Sequence, residues 1–184
     1  LRTGINYHIS EKAIATLGYA YIDTDPTFED APSSGTPFAG NLISENRIFE
    51  QFILMNRVSE LRFEHRYRLE QRFISNQGEN QTRHRARYRL QLTLPLTDTF
   101  FINVYDEVFL NLQGEVFDQN RLYAAFGVRI TENISIQIGY LKNHFRNTNF
   151  DRMNFAIFFN PDLRNIFGKQ PLNYHAFMNV LACF

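Results

Sequence analysis

The chain of 184 residues has no tryptophan and one cysteine, Cys183. A single thiol cannot form an internal disulfide, and it excludes every metal site built from several cysteines. No apolar stretch approaches the roughly 18 residues a membrane helix needs. Net charge of one sign is missing as well: 19 basic residues balance 19 acidic ones, so no global charge draws the chain to nucleic acid or acidic lipid. The sequence opens at Leu1 rather than at Met and carries no signal peptide. It is read as a mature or incomplete chain whose export signal has been removed. Aromatics are plentiful instead, with 19 Phe and 9 Tyr.

The stretch Leu61 to Phe73, LRFEHRYRLEQRF, puts Arg62, Glu64, Arg66, Arg68, Glu70 and Arg72 at every second position. Leu61, Phe63, His65, Tyr67, Leu69, Gln71 and Phe73 lie between them. In a strand, successive side chains point to opposite faces, so the pattern separates a charged face from a mostly apolar one. A helix would scatter the same charges around its circumference. Thr82 to Leu94 repeats the arrangement with Arg83, Arg85, Arg87 and Arg89. The loop 74–81 is expected to join the two runs as a hairpin that brings Glu70 near Arg85 and leaves Arg68 beside Arg87.

Both runs are about twice the usual strand length of five to six residues. A spanning strand of an outer-membrane barrel needs about 9–11 residues, apolar toward lipid and polar toward the lumen. The expectation is therefore an all-β protein, an antiparallel up-and-down transmembrane β-barrel with the arginines inside. Nine to ten strands are visible, starting near residues 1, 13, 47, 61, 82, 100, 121, 134, 153 and 174. Glu107, on the inward side of 100–112, joins the lumen charges. Asp106 falls on the lipid side, where a bulge is expected to correct it. Short connections (10–12, 59–60, 95–99, 131–133) alternate with longer ones (23–46, 74–81, 113–120, 142–152), as the periplasmic turns and outer loops of bacterial barrels do. The segment 160–173 breaks that alternation. Residues 1–160 are thus read as a barrel lacking its first strands, and 161–184 as a C-terminal tail or last strand.

The stretches FEHRYRLEQRF, RARYRLQLTLPL, YDEVFLNL, FDQNRLYAAFGVRI and IQIGYL resemble an uncharacterised family of bacterial outer-membrane β-barrels. This domain of unknown function has members in Bacteroidota and Proteobacteria. The resemblance covers about residues 1–160 and implies about twelve strands in all, in the bacterial outer membrane of Gram-negative cells. It implies no activity.

Chemistry is sparse. None of the serines sits in a His-x-Ser motif, and His65 and His84 fall on the outward face, so no catalytic residue is proposed. His8, His65, His84, His144 and His175 are scattered, so neither a metal nor a cofactor is expected. The arginine stripe admits three readings. A phosphate or nucleic-acid surface lacks the excess basic charge. An anion-attracting pore would use rings of Arg. A structural network would pair Arg62, Arg66, Arg68, Arg72, Arg83, Arg85, Arg87 and Arg89 with Glu64, Glu70, Glu107 and Glu50, filling a narrow lumen with long side chains. The expected partners are outer-membrane lipid and other outer-membrane proteins in a larger complex. A soluble lipocalin-like barrel is the rival fold.

Overall fold

The computed structural model describes residues 1–24, 43–76, 79–146, 148–159 and 174–175. Among these there is no helix, and all strands belong to one sheet. The strands are β1 (Arg2–Ser10), β2 (Ala13–Thr24), β3 (Ile43–Val58), β4 (Leu61–Asn76), β5 (Glu79–Pro95), β6 (Phe100–Asn111), β7 (Phe117–Arg129), β8 (Ile134–Phe145), β9 (Asn149–Phe159) and the two-residue β10 (Tyr174–His175). Strands β1 to β9 run antiparallel, each beside its neighbour in sequence, and β10 pairs with β1. Strand β9 has one described partner, β8, so the described sheet is not closed.

Several strands are longer than the sequence pattern suggests. The expected loop 74–81 is mostly ladder, with Ser75 opposite Asn80 and Asn76 opposite Glu79. The loops 113–120 and 142–152 shrink to 112–116 and 146–148. Backbone pairing does not need apolar side chains, so the ladder continues where the alternation fades. The expected contrast between short and long connections therefore fails at these three hairpins. Of the stretch 23–46, Asp23, Thr24 and residues 43–46 are strand, and 25–42 lie outside the described residues, as do 161–173, 176–184 and Cys183.

One face of the sheet is buried although no second layer covers it among the described residues. Phe109 is 0% exposed, Glu70 1%, Glu107 3% and Arg68 4%. A single layer can bury one face only by curling onto itself. Contacts across intervening strands show the curl. Arg66 on β4 reaches over β5 to donate to Glu107 on β6 at 2.6 Å, and Arg2 on β1 lies 4.7 Å above the Phe49 ring on β3. Arg2 is also within coulombic range of Arg87 and Glu107, four and five strands away. A flat sheet would set those strands about 20 Å apart.

Glycine assists the curl. Gly18 faces inward opposite Phe49, whose ring would meet an added Cβ at 2.1 Å. Gly127 stands opposite Phe101 in the same way, at 2.2 Å. Each ring lies in the space a side chain would take, letting strands bend where a bulkier pair would not fit.

The other face points outward and is largely apolar. Leu122 is 55% exposed, Ile138 53% and Leu69 50%, beside Tyr67, Phe126, Met153 and Phe155. Of these, Phe126 and Phe155 lie toward the 96–99 and 130–133 turns, and Tyr67, Leu69, Leu122 and Met153 stand near mid-strand. Asn46, Gln71, His84, Asn120, His144 and Asn149 mark the outward face nearer the opposite end, and Glu50 stands mid-strand opposite Leu69. Asp106 stays on this face with the register unbroken around it, opposite Leu90 and Leu122. The expected bulge falls instead between Phe109 and Leu110. Asn120 donates to the Asp106 carboxylate at 2.5 Å, satisfying it sideways rather than by rotation to the other face.

Gly18→Ala should lower stability by about 1–3 kcal/mol, because the Phe49 ring must leave its place. Adding Phe49→Leu should recover part of the loss, as read by far-UV circular dichroism during urea unfolding. An unchanged midpoint for Gly18→Ala would show that the ring does not constrain the strand.

Candidate functional site

Every arginine that lies in a described strand falls on the inner face. The register sets them in rows. Arg2, Ala20, Arg47, Arg72 and Arg83 form one. The next holds Gly4, Gly18, Phe49, Glu70 and Arg85, followed by Gln51, Arg68, Arg87 and Phe109. Beyond it come Ile53, Arg66, Arg89, Glu107, Arg121 and Asn143. The inner carboxylates are Glu45, Glu64, Glu70, Glu107 and Asp118, with Glu79 at the exposed hairpin tip. The other acids among the described residues stand in the turns and on the outward face.

Because the rows oppose arginine to arginine, Glu45, Glu70 and Glu107 each serve several guanidiniums. Glu70 Oε2 accepts from Arg85 Nη2 at 2.7 Å and Nε at 2.9 Å, and its Oε1 accepts from Arg87 Nη1 at 2.6 Å and Arg47 Nη1 at 3.4 Å. Arg68 Nη1 lies 3.6 Å from the same Oε1. Glu107 Oε1 accepts from Arg66 Nη2 at 2.6 Å and from Arg87 at 2.7 and 3.0 Å. Glu45 holds Arg47 at 2.7 Å and Arg72 at 2.7 and 2.9 Å, and Arg89 donates to Glu64. Arg85 Nη1 donates to Asp118 at 2.7 Å.

Aromatic faces and an amide supplement the carboxylates. The guanidiniums of Arg87, Arg121 and Arg85 lie 4.1, 4.8 and 5.0 Å from the centroid of the Phe109 ring. Arg68 sits 4.7 Å over Phe49 and donates to Gln51 Oε1. Such cation–π contacts gain strength where water is excluded.

Of the residues the sequence predicts for this site, the structure brings together Glu64, Arg66, Arg68, Glu70, Arg72, Arg85, Arg87, Arg89 and Glu107. Arg62 is exposed opposite Arg57 near the 59–60 turn. Arg83 is exposed at the other end, bonded to Gln81 at 2.9 Å. Glu50, predicted as an inner carboxylate, is on the outward face, where it accepts from Gln71 at 3.2 Å. Its neighbours Phe49 and Gln51 take the inward positions because β3 pairs continuously with β2 and β4. Glu45 and Asp118 are missed because the expected strands begin at 47 and 121, and Arg47, at the first position of its expected strand, is left out of the expected network. The alternation Glu45, Arg47, Phe49, Gln51 was the available signal.

At the end of the sheet near 112–116 and 146–148, a cavity of about 880 Å³ is lined by Arg83, Phe117, Asp118, Phe145, Arg146 and Phe150. Asp118, in this lining, is paired with Arg85. On the outward face, His65 Nδ1 and the Tyr88 hydroxyl are 2.9 Å apart. Among the described residues no cluster of three His, Cys, Asp or Glu forms a metal-binding group.

A family model described as protein of unknown function (DUF2490) matches residues 1–154. No curated protein and no solved structure matches the chain.

Glu70→Gln should cost about 3–5 kcal/mol in chemical unfolding, because it leaves buried guanidiniums without their shared anion. Glu50→Gln, the same change on the outward face, should stay within about 0.5 kcal/mol. Equal effects from the two would contradict the facing described here.

Proposed function

We propose, on the premise that the chain belongs to the DUF2490 family of proteins of unknown function, that it is a non-catalytic β-barrel of the bacterial outer membrane. In this reading the barrel is an accessory or structural subunit with an occluded lumen. The observation that carries it is the opposition of the two faces of one uncovered sheet. Arginine and carboxylate fill the buried side, while leucine, isoleucine and aromatics stand exposed on the other. Water-soluble proteins rarely expose contiguous apolar patches beyond a few hundred Å². An apolar band about 25 Å tall is what lipid requires of a barrel exterior. The polar outward residues toward one end suit the membrane–water boundary, and the closing strands would come from pairing at β9.

The ion-pair lattice supports occlusion, since its carboxylates and rings are packed against one another rather than arranged around a water column. An accessory role is favoured by Asp106. A carboxylate amid the outward apolar residues is costly against acyl chains, and a polar patch on a neighbouring protein would relieve it. The surplus of arginine over carboxylate on the inner face favours, as a second reading, a narrow anion conduit. The exposed apolar face argues against a soluble lipocalin-like carrier.

The protein should fractionate with outer membranes, require detergent for extraction and give no stepwise conductance in planar bilayers. Release into the aqueous fraction without detergent would overturn the membrane reading. Anion-selective steps abolished by Arg87→Glu would replace occlusion with the conduit. Asp106→Leu should leave folding intact and reduce the yield of any protein that co-purifies in mild detergent by about tenfold. Undiminished co-purification would remove Asp106 from the contact.

A further inference from the structure

The row containing Arg66, Arg89, Glu107, Arg121 and Asn143 sets one carboxylate against three arginines, and the Asn143 amide oxygen opposite Arg121 is buried and unbonded as well. The Nε–H groups of all three arginines are buried and make no hydrogen bond within the protein. They span four adjacent strands, β4 to β7, along a single register line. Arg66 and Arg89 stand directly opposite one another, a like-charge juxtaposition that is destabilising by itself. Glu107, the carboxylate of the row, is engaged through Oε1 by Arg66 and by Arg87 from the next row. Arg89 turns to Glu64. Arg121 has no carboxylate within ion-pair distance among the described residues and rests on the Phe109 ring.

The surroundings make this shortage costly. On one side of the row lie Tyr105 and Tyr123, stacked with centroids 4.8 Å apart, and Arg89 is 5.3 Å from the Tyr105 ring. On the other side lies Phe109. Water can accept such N–H bonds, but it leaves the positive charge uncompensated between aromatic walls. A small oxyanion does both. Tetrahedral or planar oxygens match the fork of a guanidinium, and phosphate or sulfate can accept from several arginines at once.

We propose that this row is a binding site for a small multivalent oxyanion of the phosphate class, with Arg66, Arg89 and Arg121 as its donors and Tyr105 and Phe109 as its walls. The site rests on the enclosed lumen of the reading above. A bound oxyanion completes the charge balance of the inner face and stabilises the barrel, so it is a structural ligand and not a permeating one.

The test uses the full chain purified in detergent micelles, titrated with inorganic phosphate against chloride at matched ionic strength and pH. Line broadening of the ³¹P resonance and the thermal unfolding midpoint are both read. Phosphate should broaden the resonance and raise the midpoint by several degrees beyond chloride. Arg121→Gln should weaken phosphate at least tenfold. Arg129→Gln, on the same face but bonded to the Asp98 carbonyl at the turn, should bind as the unaltered chain does. If Arg121→Gln does not fold, Arg121→Lys retains the charge without the planar fork and should show the same weakening. Equal action of phosphate and chloride, or an Arg121 variant that keeps full affinity, overturns the site. Detergent dependence of the same preparation is scored separately, so failure of the oxyanion site is distinguishable from failure of the membrane reading.

Discussion

Guanidinium groups crowded on one buried face must share the few carboxylates within reach, and the inner surface of this sheet is organised by that sharing. The register opposes Arg72 to Arg83, Arg68 to Arg87 and Arg66 to Arg89. Two unit charges about 4 Å apart interact by roughly 4 kcal/mol at an effective dielectric constant near 20, so such pairs persist only with anions set diagonally between them. Glu70 and Glu107 fill that role, each at a crossing of rows, with Arg87 bonded to both. Phe49 and Phe109 supply the remaining compensation through their ring faces.

The same shortage explains why the face is made of arginine. Its long stem crosses the space between strands, and its planar fork binds two partners at once, as Arg85 does with Glu70 and Asp118. A lysine would bring the charge without the geometry. The alternation that gathers arginine inward also leaves the outward face of the described strands without one, so polarity is segregated across a single layer.

Much of this was legible in the sequence because the side-chain period of a strand is two. LRFEHRYRLEQRF fixes its own facing, and the partnership of Glu70 with Arg85 and the neighbouring of Arg68 and Arg87 follow from counting back from the hairpin. The reading failed where the alternation carries no apolar signal. The ends of β4, β5, β7, β8 and β9 are mostly polar, with at most one apolar residue each (Ile74, Phe117, Phe145, Phe150), so they read as loops although their backbones are paired. In β3 the run Phe49-Glu50-Gln51-Phe52 has an aromatic on each face, and the face of Glu50 was settled only by pairing with both neighbours. The convergence of Arg66, Arg89 and Arg121 on one row could not be seen before the strands were in register.

Segregation of the two faces is the physical basis of every functional statement made about this protein. It is tested most directly by nitroxide labels placed one at a time on β7, at Leu122, Tyr123, Ala124, Ala125 and Phe126, in a Cys183→Ser background reconstituted into lipid vesicles. Collision rates with oxygen and with a water-soluble nickel chelate are compared at each position. The account predicts that labels at 122, 124 and 126 meet oxygen and exclude nickel, while those at 123 and 125 do not report lipid. Nickel access at 122, 124 and 126, or no alternation along the strand, would contradict it.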